Sequence, residues 1–87
     1  MCGHDAHTTA LLMFIEYLVN KLKTNDFKLK KGIVCLFQPA EEIGQGAKKV
    51  LEEYSDLFNN ISQGYCLHIA SGFPIGTIYT KDKTVMA

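Results

Sequence analysis

The chain has 87 residues, enough for one small domain, whose folding would remove only about 60–65% of the unfolded surface from water. It is 47% hydrophobic and 21% charged with two prolines, a globular composition that excludes a disordered segment. Nine basic residues balance nine acidic ones, so neither a nucleic acid nor a membrane surface is expected as a partner, since either would call for a basic excess.

The chain opens "MCGHDAHTTALL", with a cysteine, two histidines and an aspartate inside seven residues. Thr8 or Thr9 can cap a helix, and Leu11, Ile15, Leu18 and Leu22 then recur at i, i+4, i+7 and i+11. A first helix is expected from about Thr9 to Lys23, ended by "TND". Its apolar stretch is too short to span a bilayer and carries Glu16, and without a basic leader or a small-residue cleavage site it does not read as a signal peptide.

"GIVCLF" is a short continuous apolar run rich in β-formers, the pattern of a strand buried on both faces. It stops at Gln38-Pro39, because proline cannot donate to a ladder. From Gly46 the apolar residues Ala47, Val50, Leu51 and Tyr54 return at helical spacing, which gives a second helix to about Tyr54. "GYCLHIA" is a second strand, "SGFPIG" a loop, and "TIYTKDKTVMA" a hairpin with a three-residue turn. The expected fold class is therefore α/β, in the order helix, strand, helix, strand, hairpin. A right-handed crossover would join two parallel strands.

That order has a chemical consequence. "CGHDAH" before the first helix, "QPAEE" after the first strand and His68 near the end of the second would share the carboxyl edge of the sheet, where ligands bind in open α/β folds. Cys2, His4, His7, Glu41, Glu42 and His68 are sulfur, nitrogen and oxygen donors of the kinds that bind first-row metals. In an extended segment Glu41 and Glu42 would point to opposite sides, one toward a metal and the other toward a reacting water. Metal-assisted hydrolysis needs that division, a metal to acidify water and a base to take its proton.

Each element also has an ordinary reading. Adjacent glutamates suit a helix start, a histidine in an apolar strand is often a hydrogen-bonded core residue, and Lys28, Lys30 and Lys31 form a solvated loop. "IGQGAKK" lacks the spacing of a phosphate loop, and its glycines instead permit a tight turn into the second helix. Cys2, Cys35 and Cys66 are odd in number and match no disulfide framework. Cys35 and Cys66 read as buried free thiols, and a reducing, cytoplasmic location is expected.

Three stretches in order, "CGHDAHT", "LFQPAEEIGQGAKKVLEE" and "LHIASGFPIGTI", closely resemble the metal-dependent amidohydrolases of the aminoacylase, hippurate hydrolase and auxin-conjugate hydrolase group, within the zinc-exopeptidase superfamily. The resemblance covers nearly the whole chain. It implies a catalytic domain built on a mainly parallel three-layer sheet, and hydrolysis of the amide bond of N-acyl amino acids or short peptides. Two divalent ions, manganese, zinc or nickel, would assist. It implies that Cys2, His4, Glu42 and His68 are metal ligands, with Cys2 bridging, and that Glu41 is the general base. Asp5 would orient His4 through its free ring nitrogen. His7 either faces substrate or simply opens the helix.

The chain also departs from that pattern. Residues 1–87 would be part of a catalytic domain, without the lid-and-dimerisation domain or the later segment that supplies a final histidine ligand. Partial metal occupancy, little activity in isolation and some self-association are therefore expected. The rival reading is a non-catalytic fragment with an incomplete metal site. A structural zinc domain would need four closed protein ligands, which Glu41-Glu42 beside Cys-x-His fits less well.

Overall fold

The computed structural model of the protein describes residues 3–80. Helix α1, His4–Lys23, starts five residues earlier than the Thr8/Thr9 cap predicts. Gly3 is the reason. Its backbone is left-handed (φ 77°), a conformation glycine adopts without a Cβ penalty, and its carbonyl accepts the first helical bond from His7 N–H at 3.1 Å. Asp5 in the first turn suits the positive end of the helix dipole. Thr9 sits inside the helix, where its hydroxyl donates to the Asp5 carbonyl one turn back at 2.8 Å.

The end of α1 falls where "TND" places it. Asn25 is left-handed (φ 56°), its N–H meets the Leu22 carbonyl at 3.4 Å, and Asp26 N–H meets the Lys21 carbonyl at 3.3 Å. This is the paired 5→2 and 6→1 arrangement that satisfies the last free carbonyls of a helix. Along α1 the predicted stripe of Leu11, Ile15, Leu18 and Leu22 is its more protected face, although no residue of the helix is fully buried.

Helix α2, Gly46–Glu53, starts as predicted, and Tyr54 (φ −124°, ψ 33°) separates it from the single turn α3, Ser55–Phe58. Gly46 is required by close approach. A Cβ there would lie 1.7 Å from the Pro39 carbonyl oxygen and 2.9 Å from its carbon. The first turn of α2 thus rests directly on the backbone of the Leu36–Pro39 segment. Val50, one turn on, is the only buried apolar side chain among the described residues, at 8% exposure. A shallow cleft of about 340 Å³ lies beside it, lined by Leu36, Phe37, Pro39, Val50 and Tyr54 among others.

The α/β expectation is not met. Among the described residues there is no strand and no sheet, and the order is α1, a 3₁₀ turn at Glu41–Ile43, α2 and α3. "GIVCLF" and "GYCLHIA" have the composition of buried strands but run as irregular chain, and no backbone hydrogen bond joins one to the other. The cause is the non-local nature of a ladder. A helix closes its bonds within its own segment, whereas a strand needs a neighbour about 4.8 Å away along its whole length. The contact from Lys31 Nζ to Ser62 Oγ, 3.4 Å, brings the approaches to the two runs together, but the runs themselves do not pair. Of the predicted hairpin, residues 77–80 are not in a strand, and the remainder lies outside the described residues.

The apolar runs consequently face solvent. Ile33, Val34, Leu36 and Phe37 are each more than two-fifths exposed, as are Leu67 and Ile69. Cys66 is exposed and Cys35 half-buried, so the expected buried thiols are not found, although both are free. The radius of gyration is 15.2 Å, above the roughly 12 Å of a close-packed chain of this length.

Candidate metal centre

Two short local geometries build the candidate site. The first is the opening turn of α1. Because the helix begins at His4, His4 and His7 stand at i and i+3 on one face, and their ring centroids are 5.5 Å apart. The second is the turn that follows Pro39. Ala40 adopts a left-handed backbone (φ 56°, ψ 34°), which costs a non-glycine residue about 1–2 kcal/mol. It folds Glu41–Ile43 into a 3₁₀ turn that Gly44 (φ 66°) closes, with Gly44 N–H donating to the Glu41 carbonyl at 2.9 Å.

That turn overrides the expectation that Glu41 and Glu42 leave an extended strand with opposite orientations. Both reach the same atom: His4 Nε2 is 3.5 Å from Glu41 Oε2 and 3.5 Å from Glu42 Oε1. Donors bound to one tetrahedral ion with metal–ligand distances near 2.0–2.2 Å lie about 3.3 Å from each other. The spacing and the nitrogen–oxygen donor set therefore both fit a divalent ion. The side chains are accessible, 42% exposed for His4, 61% for Glu41 and 64% for Glu42.

His4 belongs to a second group as well. Donor atoms of His4, His7 and His68 lie within 4.8 Å of one another, as do those of His4, Glu41 and Glu42. His68 comes from a segment more than 60 positions away in the chain, and its ring centroid is 4.6 Å from that of His7. The structure thus gathers His4, His7, Glu41, Glu42 and His68 into one region. It is a region between a helix start, a 3₁₀ turn and an irregular segment, not the edge of a sheet.

Cys2 lies outside the described residues. Asp5 is exposed, and among the described residues its carboxylate makes no hydrogen bond to His4; its backbone carbonyl serves Thr9 instead. His7, for which the sequence leaves two roles open, has a third contact. Its Nε2 accepts the backbone N–H of Ile69 at 2.9 Å, so its ring proton resides on Nδ1. Nothing in the residue types marks Ile69 as a partner. The helical spacing of His4 and His7 directly after a glycine is the one sequence signal that pairs the two rings.

A small chain that presents histidines and paired carboxylates within metal-ligand distance has the donor set of a metal-dependent hydrolase. Comparison with known proteins agrees: residues 1–83 match Peptidase family M20/M25/M40, and the chain belongs to that family. Among its relatives, "IAA-amino acid hydrolase ILR1-like 4" of Arabidopsis thaliana is 37% identical over 86 residues, covering 99% of this chain and 18% of that protein. The "N-acetylcysteine deacetylase" of Bacillus subtilis (strain 168) is 38% identical over 86 residues, 99% of this chain and 21% of the relative. An "N-acetyldiaminopimelate deacetylase" of Bacillus licheniformis is 41% identical over 88 residues, with 99% and 21% covered. The chain spans about a fifth of the length of these relatives. No solved structure matches it.

Proposed function

We propose that this chain carries part of the active site of an enzyme that hydrolyses the amide bond of N-acyl amino acids with the aid of divalent metal. The observation that supports this most directly is the approach of both Glu41 and Glu42 to His4 Nε2 at 3.5 Å. The three relatives' names share a substrate type, an amino acid whose nitrogen carries an acyl group or its conjugate.

In this reading His4, Glu42 and His68 hold metal together with Cys2, and Glu41 is the general base. A bound divalent ion supplies Lewis acidity toward water and the amide carbonyl. Glu41 accepts the proton of the attacking water and returns it to the leaving nitrogen, a role a carboxylate can fill when it stands within reach of both. His4 keeps Glu41 and Glu42 side by side. Manganese, zinc and nickel are the candidate ions, in up to two positions. The free thiols of Cys35 and Cys66 support a reducing, cytoplasmic location.

The test is metal content of the purified chain by mass spectrometry, with turnover of N-acetylcysteine and N-acetyl amino acids under added manganese, zinc or nickel. Partial metal occupancy and weak, chelator-sensitive hydrolysis are expected. Failure to bind any of the three ions would overturn the reading. Weak rather than ordinary rates are expected from the 87 residues alone. The carboxylates are more than 60% exposed and the 340 Å³ cleft is lined by other residues, so among the described residues nothing holds substrate against water at the donors. Positioning of reactants is worth roughly 7–11 kcal/mol of barrier. Metal-dependent turnover at ordinary enzyme rates would show that the 87 residues are a complete catalyst and would displace the partial-site view.

Self-association belongs to the same proposal. Contiguous apolar surface beyond a few hundred Å² tends to be covered, and here Ile33, Val34, Leu36 and Phe37 face solvent in one run. Sedimentation velocity over a hundred-fold concentration range is expected to show growing oligomers. A single monomer boundary throughout would count against it.

A further inference from the structure

Ile69 contributes only its backbone, yet that backbone touches two histidines of the site. Its N–H donates to His7 Nε2 at 2.9 Å, and its carbonyl stands in hydrogen-bond contact with His68 Nδ1. A carbonyl can only accept, so the second contact places the His68 ring proton on Nδ1. The lone pair is then left on Nε2, the state a metal-ligating imidazole needs. The segment around Ile69 is irregular and has no ladder to hold it. His7, by contrast, is fixed in the first turn of the 20-residue helix α1.

We propose that His7 is a positioning residue: by accepting the Ile69 N–H it anchors the Ile69 peptide to α1, so that the Ile69 carbonyl holds His68 in the Nδ1–H form with Nε2 free as a ligand. This rests on the metal reading of the site. It gives His7 a role distinct from direct ligation and from substrate contact. With Nε2 engaged by an amide, the ring is committed as an acceptor toward the backbone. The His7 ring also packs against the His68 ring in a tilted arrangement, centroids 4.6 Å apart and planes at 57°, and so flanks the second histidine.

The test compares His7→Leu, which fills the space and stays helical but accepts nothing, with His7→Gln, whose side-chain oxygen can reach the same N–H. In metal-free chain, nitrogen-15 spectra should show the Ile69 amide exchanging with solvent about ten-fold faster in His7→Leu, the factor one ordinary hydrogen bond is worth. The His68 ring should become a mixture of tautomers. Titration with Co²⁺, read by its visible absorption, should give an affinity about 10–100-fold weaker, the usual cost of losing an outer partner of a ligand. His7→Gln should restore all three readouts to within a few-fold. An unchanged Ile69 amide in His7→Leu would overturn the proposal, and so would a loosened amide with unchanged His68 tautomer. A His7→Gln variant as weak as His7→Leu would instead make His7 a ligand in its own right and would also overturn it. If the parent chain bound no Co²⁺, the metal reading would fall, while the metal-free spectra would still decide whether His7 sets the state of His68.

Discussion

Glu42→Gln is expected to weaken divalent-metal binding by at least about 100-fold, whereas Glu41→Gln should leave it within a few-fold of the parent chain. Loss of an outer partner alone costs about 10–100-fold, and a direct ligand should cost no less. Glu41→Gln should instead remove the residual amide hydrolysis, since a positioned base is worth roughly 10²–10⁴ in rate. The two carboxylates are equidistant from His4 Nε2 at 3.5 Å, so distance alone assigns neither role. The pair of variants does so by splitting affinity from rate. Isothermal titration with Mn²⁺ or Zn²⁺ supplies the affinity, and long incubations with an N-acetyl amino acid supply the rate. Retention of metal by Glu42→Gln together with its loss in Glu41→Gln would reverse the assignment.

Gly46→Ala is expected to lower stability by about 1–3 kcal/mol, the usual cost of forcing atoms into occupied space. The added methyl would meet the Pro39 carbonyl oxygen at 1.7 Å, a distance no side-chain rotation relieves because both partners are backbone. Either α2 lifts away and exposes Val50, or Pro39 shifts and carries the Ala40–Glu42 turn with it. Both outcomes are visible, the first as lost helical circular dichroism and a lower Tm, the second as weaker metal binding through displaced carboxylates. Gly64→Ala is the control. A Cβ at Gly64 meets nothing within 4 Å and its φ is not left-handed, so it should change neither quantity measurably. Equal behaviour of the two variants would show that the close packing of α2 on Pro39 does not persist in solution.

The candidate site was partly legible before any coordinates. His4, Glu41, Glu42 and His68 stand out as donor types at fixed places in three motifs; in the structure His4 lies in one group with Glu41 and Glu42 and in another with His7 and His68. The route by which they meet was not legible. Strand order points to a sheet edge, and among the described residues there is no sheet. The turn that does the work depends on Ala40 at φ 56°, a conformation that an alanine gives no reason to expect. His7 illustrates the same limit, since its partner is a backbone N–H 62 residues away and backbone groups carry no sequence label.

By itself, the sequence determines the local elements of this protein. The 3.6-residue spacing of Leu11, Ile15, Leu18 and Leu22 sets the protected face of α1, the Thr24-Asn25-Asp26 stop ends it, and Gly46 marks the start of α2. Each of these depends on bonds or contacts reached within a few residues, which propensity and pattern can report. Tertiary structure alone decided the rest: that His68 and the Ile69 N–H come against His7, that Glu41 and Glu42 both turn to His4, and that two apolar runs stay unpaired. A ladder and a metal-binding cluster both join segments far apart in the chain. Their formation depends on which neighbours arrive and how closely, and no local pattern records that.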